Sequence, residues 1–451
     1  MKNRTKGATI DMKGSDFMKK LKICTIALFI LLSLVLLLGC AKYAESFDVT
    51  YITSGGVGQL SCMIKITGNS ESYEIYFAKE NKEALEGYAP LTTVEMENGE
   101  GRVSISNAPI PKEARGLVAL GGENSSFSPL PEDILILSEK SYSFGALSDV
   151  HYSRYTTDGE DTAIKAFDNA LDYFESVGVD FVGIAGDITR DGEESSLNSY
   201  NEAISKRPYP VYTVTGNHDV PAIKSGLWQE KMNLDALKNS SETTSIGKNG
   251  LDFVYKPSKM AGDVFVFLNQ VRWEYNKEDS SILDMEQLTW LREVLEANKN
   301  ETVYLFFHTF LCGEDGEKHT GVGNFKNPGG YTYDLPYTYG CDDEVEFRSI
   351  LKEYKNVVWF SGHSHWMIEM AIYSHIANYS CFDGEYCHMV HVPSVTEPRF
   401  IGENDTSRTG MHGKSSQGWL IEAYDDILLL TPVELTTSTR LTQYMEIIYT
   451  E

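Results

Sequence analysis

The hydrophobic pattern of the chain changes period near residue 140. Before it, apolar and polar positions alternate over short runs at Gln59–Ile66, Tyr73–Ala78 and Gly101–Ser106. An Asn98-Gly99 turn signal precedes the third run, and Leu117–Leu120 leads into Gly121-Gly122. This spacing predicts short antiparallel strands, and therefore a small all-β sandwich over residues 45–140. From Tyr142 onward, short continuous apolar runs alternate with amphipathic stretches. Strands are expected at Tyr142–Leu147, Phe181–Ala185, Val211–Thr215, Val264–Leu268, Val303–Phe307 and Val357–Phe360. Helices are expected at Thr162–Val177, Glu193–Lys206, Asp284–Ala297 and Asp343–Tyr354. The alternation implies βαβ units, so residues 141–451 read as an α/β domain. Past Trp366 the pattern turns β-rich again, with strands expected at Trp419–Tyr424 and Ile427–Leu430.

The first forty residues read as an address, not as fold. Lys19, Lys20 and Lys22 precede an apolar run from Ile23 to Leu38, closed by Gly39-Cys40. The segment resembles a bacterial lipoprotein signal, which implies lipidation of Cys40 and an extracytoplasmic, membrane-anchored protein. An uncleaved N-terminal anchor is the alternative, because the run is nearly long enough to span a bilayer. Met18 stands directly before the basic flank and could be the start, in which case residues 1–17 are not translated.

Composition narrows the class further. A chain of 451 residues exceeds one average domain, and 42% hydrophobic content suffices for packed cores. The net charge of −26 would repel nucleic acid, which makes a small-molecule partner the expectation. Seven cysteines include Cys24 and Cys40, and none forms a C-x-x-C zinc pair. Outside the cytoplasm Cys312 could pair with Cys341, and Cys381 with Cys387, leaving Cys62 as the odd thiol.

Candidate chemistry sits at the ends of the apolar runs, where open α/β sheets place ligands. The successive ends carry Asp149-Val150-His151, Gly186-Asp187, Gly216-Asn217-His218-Asp219, then His308, then Gly362-His363-Ser364-His365. Five of the ten histidines fall in these segments, which sets them apart from scattered surface histidines. Two divalent cations about 3.5–4 Å apart need mixed oxygen and nitrogen donors and a bridging carboxylate. Such a pair lowers the pKa of a shared water toward about 7. Singly, Asn217 reads as a turn residue or helix cap, and His363 with His365 as polar neighbours on one strand face. Together, in order, the five segments point to a metal centre.

These blocks resemble those of the calcineurin-like metallophosphoesterase superfamily: D-x-H, G-D, G-N-H-D/E, H and G-H-x-H, over residues 142–370. The resemblance implies a β-sandwich core flanked by helices, in an α/β/β/α arrangement. It also implies hydrolysis of phosphate mono- or diesters with two metal ions, of which manganese, iron or zinc are the expected kinds. One metal would be held by Asp149, His151, Asp187 and His365, and the other by Asp187, Asn217, His308 and His363. His218 would lie near the leaving group, with Asp191 or Asp219 as its orienting partner. The N-terminal module in turn resembles fibronectin type III or immunoglobulin-like domains, by pattern only.

Departures from subfamily patterns matter too. Purple acid phosphatases place a tyrosine ligand where this chain has Arg190, so their charge-transfer chemistry is not expected. The Asp149-x-His151 and Gly362-His-x-His365 blocks resemble most the cyclic-nucleotide phosphodiesterase and phosphohydrolase branch, whose members often carry a second histidine where Phe307 stands here. The Gly- and Tyr-rich stretch 309–340 reads either as a lid over the metals or as a packed structural loop. Arg399 could reach a phosphate, although a salt bridge is the simpler reading. A nuclease, a non-catalytic metal-binding surface protein and an adhesin are the competing readings. The first is opposed by the acidity, and the second by the complete donor set.

Overall fold

The computed structural model describes residues 44–51, 58–121, 125–135, 139–157, 160–232, 234–260, 262–273, 282–311, 342–373, 380–381, 386–400, 409–425 and 427–450. The signal segment with Cys40, the stretch 312–341 and the side chain of Cys381 lie outside the described residues, as do both expected cystine pairings. Cys62 is a free, buried thiol, and burial pushes its pKa up to about 11.

The N-terminal module folds as the alternation demands. Its strands are β1 (Ala44–Tyr51), β2 (Gln59–Gly68), β3 (Ser72–Ala78), β4 (Thr92–Glu95), β5 (Glu100–Pro109), β6 (Gly116–Leu120) and β7 (Ser125–Pro129). Along β2, Leu60, Cys62, Ile64 and Ile66 point inward while Met63 is half exposed. Tyr73, Ile75 and Phe77 of β3 face them across the core. The two sheets run β1-β2-β5 and β4-β3-β6-β7, antiparallel throughout. Because β4 pairs with β3 and not with β5, the module departs from the constant-type immunoglobulin arrangement.

The second part is a two-sheet sandwich between helices. Its first sheet contains β8 (Tyr142–Leu147), β9 (Phe181–Ile184), β10 (Val211–Thr213), β18 (Gln417–Tyr424), β19 (Ile427–Glu434), β20 (Thr439–Arg440) and β21 (Glu446–Tyr449). They run in the order β10-β9-β8-β18-β19-β20, with β21 also paired to β19. Its second sheet contains β11 (Thr243–Ile246), β12 (Phe253–Tyr255), β13 (Val264–Phe267), β14 (Val303–Phe306), β15 (Val357–Ser361), β16 (Ser380–Cys381) and β17 (His388–His391), ordered β11-β12-β13-β14-β15-β17-β16. The strands β8, β9 and β10 are mutually parallel, as are β13, β14, β15 and β17. Their continuous apolar sequences follow from burial on both faces.

Between the sheets lies an aromatic layer. Phe144 stacks on Phe181 at 5.0 Å, Phe265 on Tyr304 at 4.7 Å, and Phe306 on Phe360 at 5.1 Å. Outside the first sheet, α1 (Thr162–Val177) buries Phe167, Leu171 and Phe174. It is capped by Asp161, which accepts from the Ala163 N–H, and stopped by Gly178. The helix α2 (Glu194–Ser205) follows on that side. Over the second sheet, α3 (Met285–Ala297) starts in an Asp284/Gln287 capping box, and α4 (Asp342–Glu353) packs beside it. Phe307 points into this helix-facing core, against Phe347 and Trp359. The expected α/β/β/α layering is what the chain adopts.

The module docks on the edge of the first sheet through Arg440 of β20. Its N–H donates to Gly87 O at 2.6 Å, and its carbonyl accepts from Ala89 N at 2.8 Å. The guanidinium lies over the Tyr88 ring, 4.8 Å from its centroid, bonds the Tyr88 hydroxyl and donates to Tyr173 of α1 at 3.1 Å. A single side chain thus joins the module, the sheet and the helix layer. Replacing it by Met in Arg440→Met should lower stability by about 1.5–3 kcal/mol, the worth of hydrogen bonds to a charged group. Chemical denaturation checks this: the midpoint should fall and the single transition should split, and an unchanged curve would refute the clamp.

Candidate metal centre

The successive strand ends become a single cluster in space. Asp149 and His151 follow β8, Asp187 follows β9, and Asn217 with His218 follow β10. From the second sheet, His308 follows β14, and His363 and His365 follow β15. All seven expected donors are brought together, although they span residues 149 to 365. Asp149, His151, Asp187 and His308 are fully or almost fully buried.

Each carboxylate commits one oxygen to a backbone N–H and turns the other toward the imidazoles. Asp149 Oδ2 accepts from His363 N at 3.0 Å, and Asp187 Oδ1 accepts from His218 N at 2.9 Å. Around the bare Asp149 Oδ1 stand His365 Nε2 at 3.0 Å, His151 Nε2 at 3.5 Å and His308 Nε2 at 4.0 Å. Around Asp187 Oδ2 stand His308 Nε2 at 3.1 Å and His151 Nε2 at 3.6 Å. Asn217 Oδ1 lies 2.8 Å from His363 Nδ1 and 3.2 Å from His308 Nε2.

The far nitrogens fix the imidazoles in place. His308 Nδ1 donates to Ala185 O at 2.6 Å, and His151 Nδ1 faces Thr189 O at 3.4 Å. His365 Nδ1 faces Glu397 Oε2 at 3.3 Å. Such outer partners set the tautomer and turn each Nε2 lone pair inward, as in metal sites. Glu397 is itself held by Arg399 at 3.0 Å and by the Tyr155 hydroxyl. Burial would raise its pKa, but His365 and Arg399 outweigh that and keep it ionised.

The electrostatics of the cluster call for a cation. Burial pushes His151 down to about 3, so it is neutral. Its Nε2 lies 3.0 Å from the His365 Nε2, a separation that needs either a ring N–H between them or a cation shared by both lone pairs. Burial opposes protonation of His308, yet the Asp187 carboxylate holds its pKa up to about 9. A proton there occupies the place a divalent ion would take. Asp149 Oδ1, buried, accepts no well-formed hydrogen bond. An orphaned carboxylate oxygen ringed by imidazole nitrogens fits a metal ion. Three donor groups meet metal-binding spacing: Asp149/His151/His365, His151/Asp187/His218 and Asp187/His308/His363.

The loops that aim these groups are strained. Among the described residues ten non-glycine positions have positive φ, and five of them are Asp149, His151, Asp187, His363 and His365. Each costs about 1–2 kcal/mol relative to ordinary backbone, and such strain concentrates at functional sites. Two motif glycines are required by close approach. A Cβ on Gly216 would sit 2.1 Å from Asp187 Oδ1, and one on Gly362 would sit 1.8 Å from Ser148 Oγ.

A calcineurin-like phosphoesterase family model matches residues 142–367, half of the chain. The chain belongs to the calcineurin-like phosphoesterase family. It is therefore a phosphoesterase, a hydrolase, and its centre is the expected place for the metals of that family. Among solved structures it is similar to a dimetal phosphatase from Danio rerio, at 15% identity and a TM-score of 0.46, covering 69% of this chain and 100% of that one. It is also similar to a purple acid phosphatase from yellow lupin seeds, at 12% identity and a TM-score of 0.45, covering 90% and 74%. No curated protein matches the chain by sequence.

The phosphoesterase site corrects one expectation. Asp219 does not orient His218. Its buried carboxylate accepts from Ile188 N, Thr189 N, Thr189 Oγ1 and Gly216 N at 2.9–3.1 Å, stapling two ligand loops together. Burial and the neighbouring Asp187 push its pKa up to about 7 against these donors. Instead, His218 Nδ1 bonds Arg190 O, with Asp191 3.8 Å away, and Arg154 Nη1 lies 2.7 Å from Nε2. The Arg190 side chain is exposed and pairs with Asp191, so the position of the purple acid phosphatase tyrosine is turned out of the centre. Arg399 forms the ion pair with Glu397 and does not face the metals' open side.

Sequence reasoning missed Arg154, Tyr155 and the role of Glu397. Arg154 and Tyr155 stand three and four residues beyond His151, and Glu397 follows β17 as a sixth strand-end position. His412, matching no motif, stacks on Tyr155 at 5.0 Å. Asp219→Ala would orphan four donors and should cost about 3 kcal/mol or more, while exposed Asp191→Ala should change stability by less than about 0.5 kcal/mol. Urea denaturation of both variants reads the difference, and equal effects would remove the staple.

Proposed function

We propose that this phosphoesterase hydrolyses small phosphate esters, mono- or diester, with two divalent or trivalent metal ions of the manganese, iron or zinc kind. Asp149, His151, Asp187 and His365 would hold one ion, and Asp187, Asn217, His308 and His363 the other. The observation that carries this reading is the convergence of two buried carboxylate oxygens and oriented imidazole nitrogens on one buried point. When bound, the ions would activate water and neutralise the charge of the phosphoryl group.

The remaining steps belong to the chain's own side chains. Asp187 stands between the two donor sets, so its Oδ2 is the natural shared ligand. His218 lies beside that carboxylate, with Nδ1 tied to Arg190 O and Nε2 in contact with Arg154 Nη1 at 2.7 Å. With Arg154 it would border the phosphoryl group or the departing oxygen. Water adds its oxygen to phosphorus, the ester P–O bond breaks, and the leaving alkoxide takes up the proton that the water gives up. The Trp273 and Phe310 rings flank His363, 5.6 and 5.7 Å away, and would shield that side of the centre from bulk water.

A panel of monoester and diester substrates with added manganese, iron or zinc tests the reading. Wild type should turn over at least one of them and carry two metals per chain. Asn217→Ala should lose at least about 10²-fold in kcat/KM, the scale on which first-contact positioning groups act. Activity equal in the mutant, or far fewer than two metals in the wild type, would sink the assignment and favour a non-catalytic binding protein.

We further infer an extracytoplasmic, membrane-anchored enzyme, lipidated at Cys40. The support is the basic flank, the apolar run and the Gly39-Cys40 junction of the sequence. Among the described residues no helix is long and apolar enough to cross a membrane. A Cys40→Ser variant should lose incorporation of a clickable fatty acid and leave the membrane fraction. Membrane retention without label would point to the uncleaved anchor instead.

A further inference from the structure

We propose that Arg154 is a substrate-binding residue of this site, gripping a terminal phosphoryl oxygen and tuning the enzyme toward phosphate monoesters. The inference rests on the phosphoesterase reading above and goes beyond its metal ligands.

The first support is the partner that Arg154 has. A guanidinium only donates and never loses its charge. The His218 Nε2 that it touches at 2.7 Å must therefore be the unprotonated nitrogen. A neutral ring nitrogen is a weak acceptor for a full positive charge, and a phosphate oxygen is a far stronger one. In this acidic chain other buried arginines meet carboxylates: Arg207 meets Asp168, Asp172 and Glu175, Arg348 meets Glu344, and Arg399 meets Glu397. Among the described residues Arg154 has no ion pair of that kind, and packs instead over the Tyr155 ring at 5.4 Å.

The second support is its placement. Arg154 N donates to His151 O at 3.1 Å, and Ser153 N donates to Asp161 Oδ2 at 2.7 Å, where Asp161 also caps α1. The loop is thus fixed between a ligand residue and a helix start, and the arginine is aimed rather than free. A ring nitrogen of His218 and donor atoms of His151 and Asp187 lie within 4.8 Å of one another, so a group bonded to the His218 ring borders the centre. His218 does not need Arg154 for its orientation. Its Nδ1 is held by Arg190 O and its N–H by Asp187 Oδ1.

The selectivity follows from charge and oxygen count. A phosphate monoester carries three terminal oxygens and about −1.5 to −2 charge near neutral pH, whereas a diester carries two oxygens and a single charge. An added cationic donor gains most with the first.

The test uses inorganic phosphate binding by calorimetry to the manganese-loaded full chain, beside kinetics on p-nitrophenyl phosphate and bis(p-nitrophenyl) phosphate. In Arg154→Ala, phosphate should bind about 10- to 100-fold more weakly, the equivalent of one lost charge-assisted contact. The monoester kcat/KM should fall by a similar factor, mainly through KM, with the diester less affected. Arg154→Lys, which keeps the charge and the fold, should recover part of the binding. Unchanged phosphate affinity, or an equal kcat loss on both esters at constant KM, would overturn the proposal in favour of mere His218 positioning. Wild-type protein that binds phosphate through Arg154 but hydrolyses neither ester would leave this inference standing and defeat the catalytic one.

Discussion

The structure turns on one electrostatic fact: two carboxylates, Asp149 and Asp187, are buried side by side, each with one oxygen turned toward imidazoles. Two anions in such a place are costly unless positive charge joins them. Without metal, that charge must come as protons on the surrounding imidazoles. His308 accepts one readily, while burial denies one to His151. The centre is therefore built for a load it does not supply itself. Metal binding and local stability must be coupled, because the ions relieve the repulsion that the fold accepts.

This requirement explains the architecture around it. Parallel strands from both sheets end on the same side, and their connecting loops deliver ligands from five places distant in sequence. Short loops can aim a carboxylate and an imidazole two residues apart only by passing through left-handed backbone, and Asp149 and His151, like His363 and His365, do so in pairs. The strain is carried by what surrounds the loops: the four donors on Asp219, the aromatic layer beneath, and the Arg399–Glu397–His365 chain beside them. Rigidity in the layers permits irregularity at the rim.

Most of this was legible in the sequence where one residue type reports one demand. Strand and helix spans such as Thr162–Val177 follow from apolar period alone, and burial on both faces explains why β8 and β9 read as continuous runs. The ligand blocks were readable because metal donors are few and sit directly at strand ends. Of the two carboxylates expected beside His218, Asp219 is turned elsewhere for a physical reason. A carboxylate beside a histidine looks like its orienting partner, yet side-chain direction in a tight turn sends it to Ile188, Thr189 and Gly216. The true partner of His218 Nδ1 is the Arg190 carbonyl, a backbone atom that no residue type announces. Glu397 was hidden likewise, since its meaning depends on β17 lying beside β15 in the sheet. Phe307 illustrates the opposite limit: its departure from a subfamily pattern was visible, but only the fold shows it buried among helix-facing aromatics.

Charge distribution links the centre to the rest of the molecule. A chain of net charge −26 would be expected to repel a phosphate ester from its surface. Binding then depends on local positive charge strong enough to reverse the general field over a few ångströms. The metal ions would supply most of it, and they enter an acidic protein readily. The arginines could supply the remainder, but Arg207, Arg292, Arg348 and Arg399 are consumed by neighbouring carboxylates. Arg440 is consumed in joining the N-terminal module to α1. Arg154 is left facing a neutral nitrogen at the edge of the centre. In so acidic a protein, an arginine held by structure yet not neutralised by it keeps its charge available for a substrate anion.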